Sequence, residues 1–246
     1  MKKRTIKGLI VALIAALVVT MMPLTVSAAS YKPGKVKITS VKVSAVSKKN
    51  NTATLTVKWN KVSKATGYEV YAKHATDTKW YRVKKVGRFY RGLEIKKTPA
   101  GKMQVKVRAI RKVKGKVYRG KFSVVKTKFI TGKWNLTKAM NANGGKKELK
   151  KLNNNLAKYG AAMSFSGNTC TMTYKLEKME PSLDGYVLNE EEKKELSQDF
   201  KDYIAKAYGG KKFAILLRDC SGVKKPKAVF TLKLNGNQVC SYSYVP

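Results

Sequence analysis

The chain has 246 residues, enough for one or two domains and too few for a large multidomain enzyme. Fifty-three Lys and Arg stand against 14 Asp and Glu, a formal charge of +39, while 43% of the residues are hydrophobic. That apolar share excludes a disordered polycation, and with His74 as the only histidine, multi-histidine metal sites and histidine relays are excluded as well.

The chain opens on what reads as an address. Lys2, Lys3, Arg4 and Lys7 precede an apolar stretch from Leu9 to Met22, which Pro23 breaks. Val26-Ser27-Ala28 and Ser27-Ala28-Ala29 both offer a small-residue cleavage pattern, so residues 1–29 are expected to be a signal peptide cut after Ala28 or Ala29. The apolar stretch is shorter than the about 20 residues of a spanning helix; a retained anchor is the other reading. The leader does not end on a lipid-accepting cysteine, and Ser241–Pro246 does not form a hydrophobic sorting tail. The mature protein is expected to be secreted, extracellular or held non-covalently at the cell wall.

Composition shifts near Thr131-Gly132. Residues 31–130 carry 29 basic and 3 acidic side chains, residues 131–246 carry 20 and 11, and all three cysteines fall in the latter. The shift gives a domain over 30–131 and a second over 132–246. In the first, Ala53, Leu55, Val57 and Trp59 alternate with polar residues, as do Met103, Val105, Val107 and Ala109. Tyr68, Val70 and Ala72 alternate with Glu69, Tyr71 and Lys73, which places the latter three outward. Turn signals at Lys49-Asn50-Asn51, Pro99-Ala100-Gly101 and Lys114-Gly115 separate the runs, and about seven short strands predict an antiparallel sandwich.

Trp59, the stretch Ala65-Thr66-Gly67-Tyr68-Glu69-Val70-Tyr71, the run Lys106-Val107-Arg108-Ala109 and Gly120-Lys121-Phe122-Ser123 occur in the order found in fibronectin type III domains. Residues 35–129 resemble that family, in particular the lysine-rich versions exported by Gram-positive bacteria. The resemblance implies an immunoglobulin-like sandwich. It departs at Met103, where the family carries a tyrosine whose hydroxyl closes a corner, so a looser corner is implied.

The second half changes period. Leu149, Leu152, Leu156 and Tyr159 recur at helical spacing, with Gly160 as a stop. Two strands joined around Ser166-Gly167-Asn168 follow, with Cys170, Met172, Tyr174 and Leu176 on one face. Asn189 with Glu192 three residues on predicts a capped helix reaching Tyr208-Gly209. Phe213, Leu216, Leu217 and Cys220 predict a further helix, with a buried strand as the rival. Asn235-Gly236 predicts a hairpin between Val229–Leu234 and Gln238–Val245. The order predicts a small α+β domain, helices on an antiparallel sheet. The shapes of 147–160, 168–176, 191–203 and 228–244 resemble an uncharacterised C-terminal domain of exported Gram-positive proteins, a likeness that implies no activity.

The basic surface is the main candidate site. Tyr71, Lys73, Lys106 and Arg108 share one predicted sheet face, with Arg111, Lys112 and Arg119 on adjoining segments. A domain this positive attracts polyanions. Lys73, Lys106, Arg108, Arg111, Lys112 and Arg119 are the expected contacts to anionic polymers or glycans of the cell envelope, with peripheral contact to anionic lipid compatible. The competing reading is that lysine keeps an exported domain soluble and blunts strand edges. Motifs of specific nucleic-acid readout do not accompany the charge. Trp80, Tyr81, Tyr90, Tyr118 and Phe122 lie near it, as packing residues or as stacking platforms.

Cys170, Cys220 and Cys240 fit apolar faces as buried thiols; a Cys170–Cys240 disulfide is the alternative. A cysteine nucleophile would need a base, and His74 is in the other domain. The acidic run Glu190, Glu191, Glu192, Glu195, Asp199 and Asp202 is interleaved with lysines and reads as a solvated helix face rather than a metal site. The sequence thus predicts a non-enzymatic binding or adhesion module without cofactor. In the alternative, the sandwich is a spacer and the second domain docks another exported protein through its hairpin edge, with Tyr242 and Tyr244 as contacts.

Overall fold

The computed structural model describes residues 31–142 and 144–246. The expected signal peptide, residues 1–29, lies outside the described residues.

Eight strands form the first half: β1 (Ile38–Val43), β2 (Thr52–Trp59), β3 (Gly67–His74), β4 (Tyr81–Gly87), β5 (Gly92–Pro99), β6 (Gly101–Val113), β7 (Lys116–Arg119) and β8 (Lys126–Ile130). They pair antiparallel as two sheets. One runs β1-β2-β5; the other runs β4-β3-β6-β7, with β8 on the opening half of the long β6. The alternating residues of β2, β3 and β6 meet between the sheets, where Leu55, Val57, Tyr68, Val70, Val105 and Val107 are completely buried. Trp59 belongs to this core, its ring 5.6 Å from that of Tyr68, although its indole N–H has no partner among the described residues. Met103 is fully buried, so apolar packing fills the position where the resemblance implied a phenol.

The second half carries α1 (Leu136–Asn141), α2 (Gly145–Ala157), β9 (Ala161–Ser166), β10 (Thr169–Lys175), α3 (Leu176–Met179), a 3-10 turn (Pro181–Leu183), α4 (Glu190–Tyr208), α5 (Lys211–Ser221), β11 (Lys227–Leu234) and β12 (Asn237–Tyr244). Its core gathers Leu136, Cys170, Met172, Tyr174, Phe200, Ile204, Leu217, Phe230 and Leu232. Asn189 and Glu192 complete a reciprocal capping box at the start of α4. At Asn235 (φ 50°) and Gly236 (φ 82°) both central turn residues are left-handed, as a tight two-residue hairpin requires.

The four strands are ordered β12-β11-β10-β9, and here the expected antiparallel sheet is corrected: β10 and β11 pair in parallel. The chain between them holds α3, α4 and α5, long enough for the crossover that parallel neighbours need. The helical stripe expected over 149–159 is also less covered than its period suggests: Leu152 of α2 is 40% exposed, and Tyr159, 71% exposed, lies beyond the end of α2. Leu176 opens α3 rather than continuing the strand.

The halves meet at one end of β3. Lys102 pairs with the buried Asp219 at 3.0 Å, Arg218 closes on the same carboxylate at 2.8 Å, and the Gly132 N–H donates to Gly222 O at 2.7 Å. Gly101 (φ 121°) passes so close that a Cβ would stand 2.5 Å from Asp219 O and from His74 Nε2. His74 is buried there, Nε2 against Ala100 O at 3.0 Å. Among the described residues no helix is long and apolar enough to cross a membrane.

Candidate functional site

Strand alternation builds the site on the outer face of the larger sheet. The β3–β6 register sets Glu69 opposite Arg108, Tyr71 opposite Lys106 and Lys73 opposite Gln104, all turned away from the core. After β7 the chain lies along β6 once more: Gly120 N–H donates to Ala109 O, and Ser123 exchanges hydrogen bonds with Val107. This laces Phe122 over the face.

A ladder of cations and rings results. Lys106 Nζ stands 4.2 Å from the centroid of Trp80 and 4.4 Å from that of Phe122. Arg108 follows, 4.6 Å from Phe122 and 5.5 Å from Tyr71, and Tyr71 meets Phe122 edge-on at 5.2 Å. Cations over ring faces are held by the ring quadrupole, which orders side chains that would otherwise sweep solvent. Partial burial, with the charge of Arg108 beside it, lowers the Lys106 ammonium below the ordinary lysine range.

Glu69 lies on this outer face, as its strand parity predicts, yet it is only 1% exposed. Its carboxylate receives Arg108 Nε at 2.7 Å and Arg82 Nη1 at 3.2 Å, with Arg119 Nε at 3.7 Å. Burial alone would raise its pKa. The Arg108 hydrogen bond and the charges of Arg108, Arg119 and Arg82 outweigh that and hold it below the ordinary carboxylate value. Two of the expected contacts, Arg108 and Arg119, are thus engaged with a carboxylate inside the protein. Three guanidinium groups against one carboxylate still leave this cluster with a surplus of positive charge. The signal for Glu69 was available: it is one of three acids in residues 31–130, two positions from Tyr71 on a strand.

The other expected contacts divide. Lys73 lies on the face, its Nζ donating to Thr78 O at 3.3 Å. Lys112 is exposed and, by alternation along β6, shares the face of Lys106 and Arg108. Arg111 falls on the opposite side, 5.4 Å over the ring of Tyr31, which stacks on Tyr118. Of the nearby aromatics, Trp80 and Phe122 belong to the ladder, whereas Tyr81 and Tyr90 are 46% and 58% exposed. The acids Asp77 and Glu94 do little to offset the charge; Asp77 accepts the His74 backbone N–H at 2.7 Å.

The cysteines are free, and the structure does not bring the proposed disulfide pair together. Cys170 stands beside Ala228 and Cys240 beside Leu232, with β11 between them. Two strand spacings amount to about 10 Å, beyond the about 7 Å at which Cα atoms can be bridged. Burial pushes the Cys170 thiol up to about 12 and raises those of Cys220 and Cys240, so none is a ready nucleophile. Tyr242 and Tyr244, the contacts of the docking alternative, turn to the helical layer. Tyr242 OH donates to Ser197 O at 2.8 Å, and Tyr244 packs 6.0 Å from Phe230. The acidic run lies along α4, where Glu190 pairs with Lys193 at 2.6 Å. Among the described residues no group of three His, Cys, Asp or Glu is placed to hold a metal ion.

No protein-family model matches the chain, and no curated protein matches it. Among solved structures, it is similar to one described as a myokine, 13% identical with a TM-score of 0.30, over 38% of this chain and 95% of that one. It is also similar to the fibronectin type III domain of human collagen XX, 15% identical with a TM-score of 0.26, over 39% of this chain and 91% of that one. Likenesses this distant carry no function across.

Proposed function

We propose that this chain is an exported, non-enzymatic binding module whose fibronectin type III-like sandwich attaches to anionic polymers of the cell envelope. The observation that carries the reading is the charge of residues 31–130. Against 29 basic side chains stand three acids, and one of them, Glu69, is buried beneath arginines. The surface is left with almost nothing to oppose its cations, and such a field concentrates polyanions and speeds their encounter.

On the outer sheet face, Lys73, Lys106 and Lys112 supply point charges around a layer of rings, and Arg108 and Arg119 supply the surplus of the Glu69 cluster. Arg111 extends the charge onto the other side of β6. Binding of this kind weakens as salt shortens the Debye length, which is about 8 Å at physiological ionic strength.

Cosedimentation with a purified wall-type polyphosphate polymer tests the reading on residues 30–246. Binding at physiological salt that disappears in the triple variant Lys73→Glu/Lys106→Glu/Lys112→Glu, with the melting temperature nearly kept, supports it. A parent protein that stays in the supernatant at that salt overturns it and makes the charge a solubility device.

A further inference from the structure

The loop joining β4 to β5, Arg88-Phe89-Tyr90-Arg91, lies outside the sheet face. Phe89 is 79% and Tyr90 58% exposed, two large aromatic residues adjacent in sequence at a loop tip. The backbone around them is nonetheless partly provided for. The Arg91 guanidinium turns inward, 5.6 Å over the ring of the fully buried Tyr68, and its Nη1 donates to Tyr90 O at 2.9 Å, to Arg88 O and to Tyr68 OH. The Tyr90 N–H donates to Gly87 O at 3.3 Å. The Arg88 and Tyr90 carbonyls, on either side of Phe89, are therefore satisfied from within the protein while the two rings are largely exposed.

A loop meant for water has no need of internal partners for its tip carbonyls, since water supplies them. A loop that enters an apolar phase does need them, because an unsatisfied carbonyl there costs several kcal/mol. Cations flank Phe89. The Arg88 guanidinium sits 4.7 Å over Phe89, and Lys61 and Lys64 join Arg88 and Phe89 around a cleft of about 260 Å³. This is the arrangement of an interfacial anchor, with aromatic bodies for the acyl boundary and cationic heads at the level of lipid phosphates. The loop also has room to dock. It lies at the Gly67 end of β3, whereas the second half is joined at the His74 end.

We propose that Phe89 and Tyr90 insert into the surface of a bilayer rich in anionic phospholipid, with Arg88, Lys61 and Lys64 engaging its phosphate groups. This surface is independent of the polymer-binding face. A soluble polyanion would use the cations but has no apolar phase for the rings, which favours the bilayer.

The test uses residues 30–246, so that the apolar leader cannot itself bind lipid. Vesicles of phosphatidylglycerol mixed with phosphatidylcholine should pellet the protein, and vesicles of phosphatidylcholine alone should not. Phe89→Ser/Tyr90→Ser should lower partitioning about tenfold while leaving cosedimentation with lipid-free wall polymer unchanged. Separately, Phe89→Trp should show tryptophan fluorescence quenched by acyl-brominated lipid beyond the level of the parent. Equal vesicle binding by the double serine variant, or quenching no greater than in the parent, overturns the proposal. Loss of polymer binding in Lys73→Glu/Lys106→Glu/Lys112→Glu with the Phe89→Trp quenching intact separates the two surfaces.

Discussion

The sandwich and the second half use their aromatic residues in opposite ways. On the outer sheet face, Trp80, Phe122 and Tyr71 take Lys106 and Arg108 as partners. In the second half the rings take one another: Tyr208 and Phe213 pack on Phe230, Phe200 packs on Tyr174, and the phenols of Tyr174 and Tyr208 share a 2.7 Å hydrogen bond. Burial and that bond hold the Tyr174 phenol protonated. A ring covered by a cation keeps positive charge ordered at the surface, whereas a ring covered by a ring only completes a core. The difference fits the proposed reading, in which binding belongs to the sandwich and the aromatic cluster of the second half serves packing.

Substitutions in each region can break that contrast. The largest effect belongs to Phe230, fully buried at the centre of the ring cluster. Phe230→Ala should cost about 3–5 kcal/mol in urea unfolding of the second half and leave polymer binding by the folded protein in place. Lost binding with the fold retained would erase the division.

Next is Glu69→Gln, which leaves three guanidinium groups facing a neutral amide. Since Arg82 and Arg119 keep half their surface in water, the loss should be about 2 kcal/mol. It carries a pH signature. A carboxyl whose folded pKa is lowered adds stability that is present above the unfolded value and disappears as pH falls through the folded one. The parent should therefore lose stability more steeply than Glu69→Gln below about pH 4.5, in acid titrations followed by circular dichroism.

Asp219→Asn removes the carboxylate shared by Lys102 and Arg218 at the junction. With both cations partly in solvent, it should cost about 1 kcal/mol, seen in calorimetry as a widened gap between the unfolding of the halves. Smallest is Lys193→Ala, which breaks an exposed pair on α4 and should leave the melting temperature unchanged.

Local pattern made much of this fold legible. Period-2 alternation located β2, β3 and β6, Asn189 and Glu192 marked the start of α4, and Asn235-Gly236 marked the last hairpin. What escaped is non-local. Glu69 follows the outward parity of β3, yet arginines from β4, β6 and β7 close over it. The parallel pairing of β10 with β11 depends on how three helices return the chain, which the alternation within either strand does not encode. The cysteine pair fails for the same reason, because sharing a sheet is not sharing a neighbour.

The most direct test of the central claim is residue-resolved. Backbone amide NMR spectra of residues 30–246, titrated at physiological salt with short fragments of an anionic wall polymer, would map the contact. The account predicts shifts gathered at Tyr71, Lys73, Lys106 and Lys112, fading as salt is raised, with β11 and β12 silent. Shifts concentrated in the second half, or spread evenly over every exposed lysine, would contradict it.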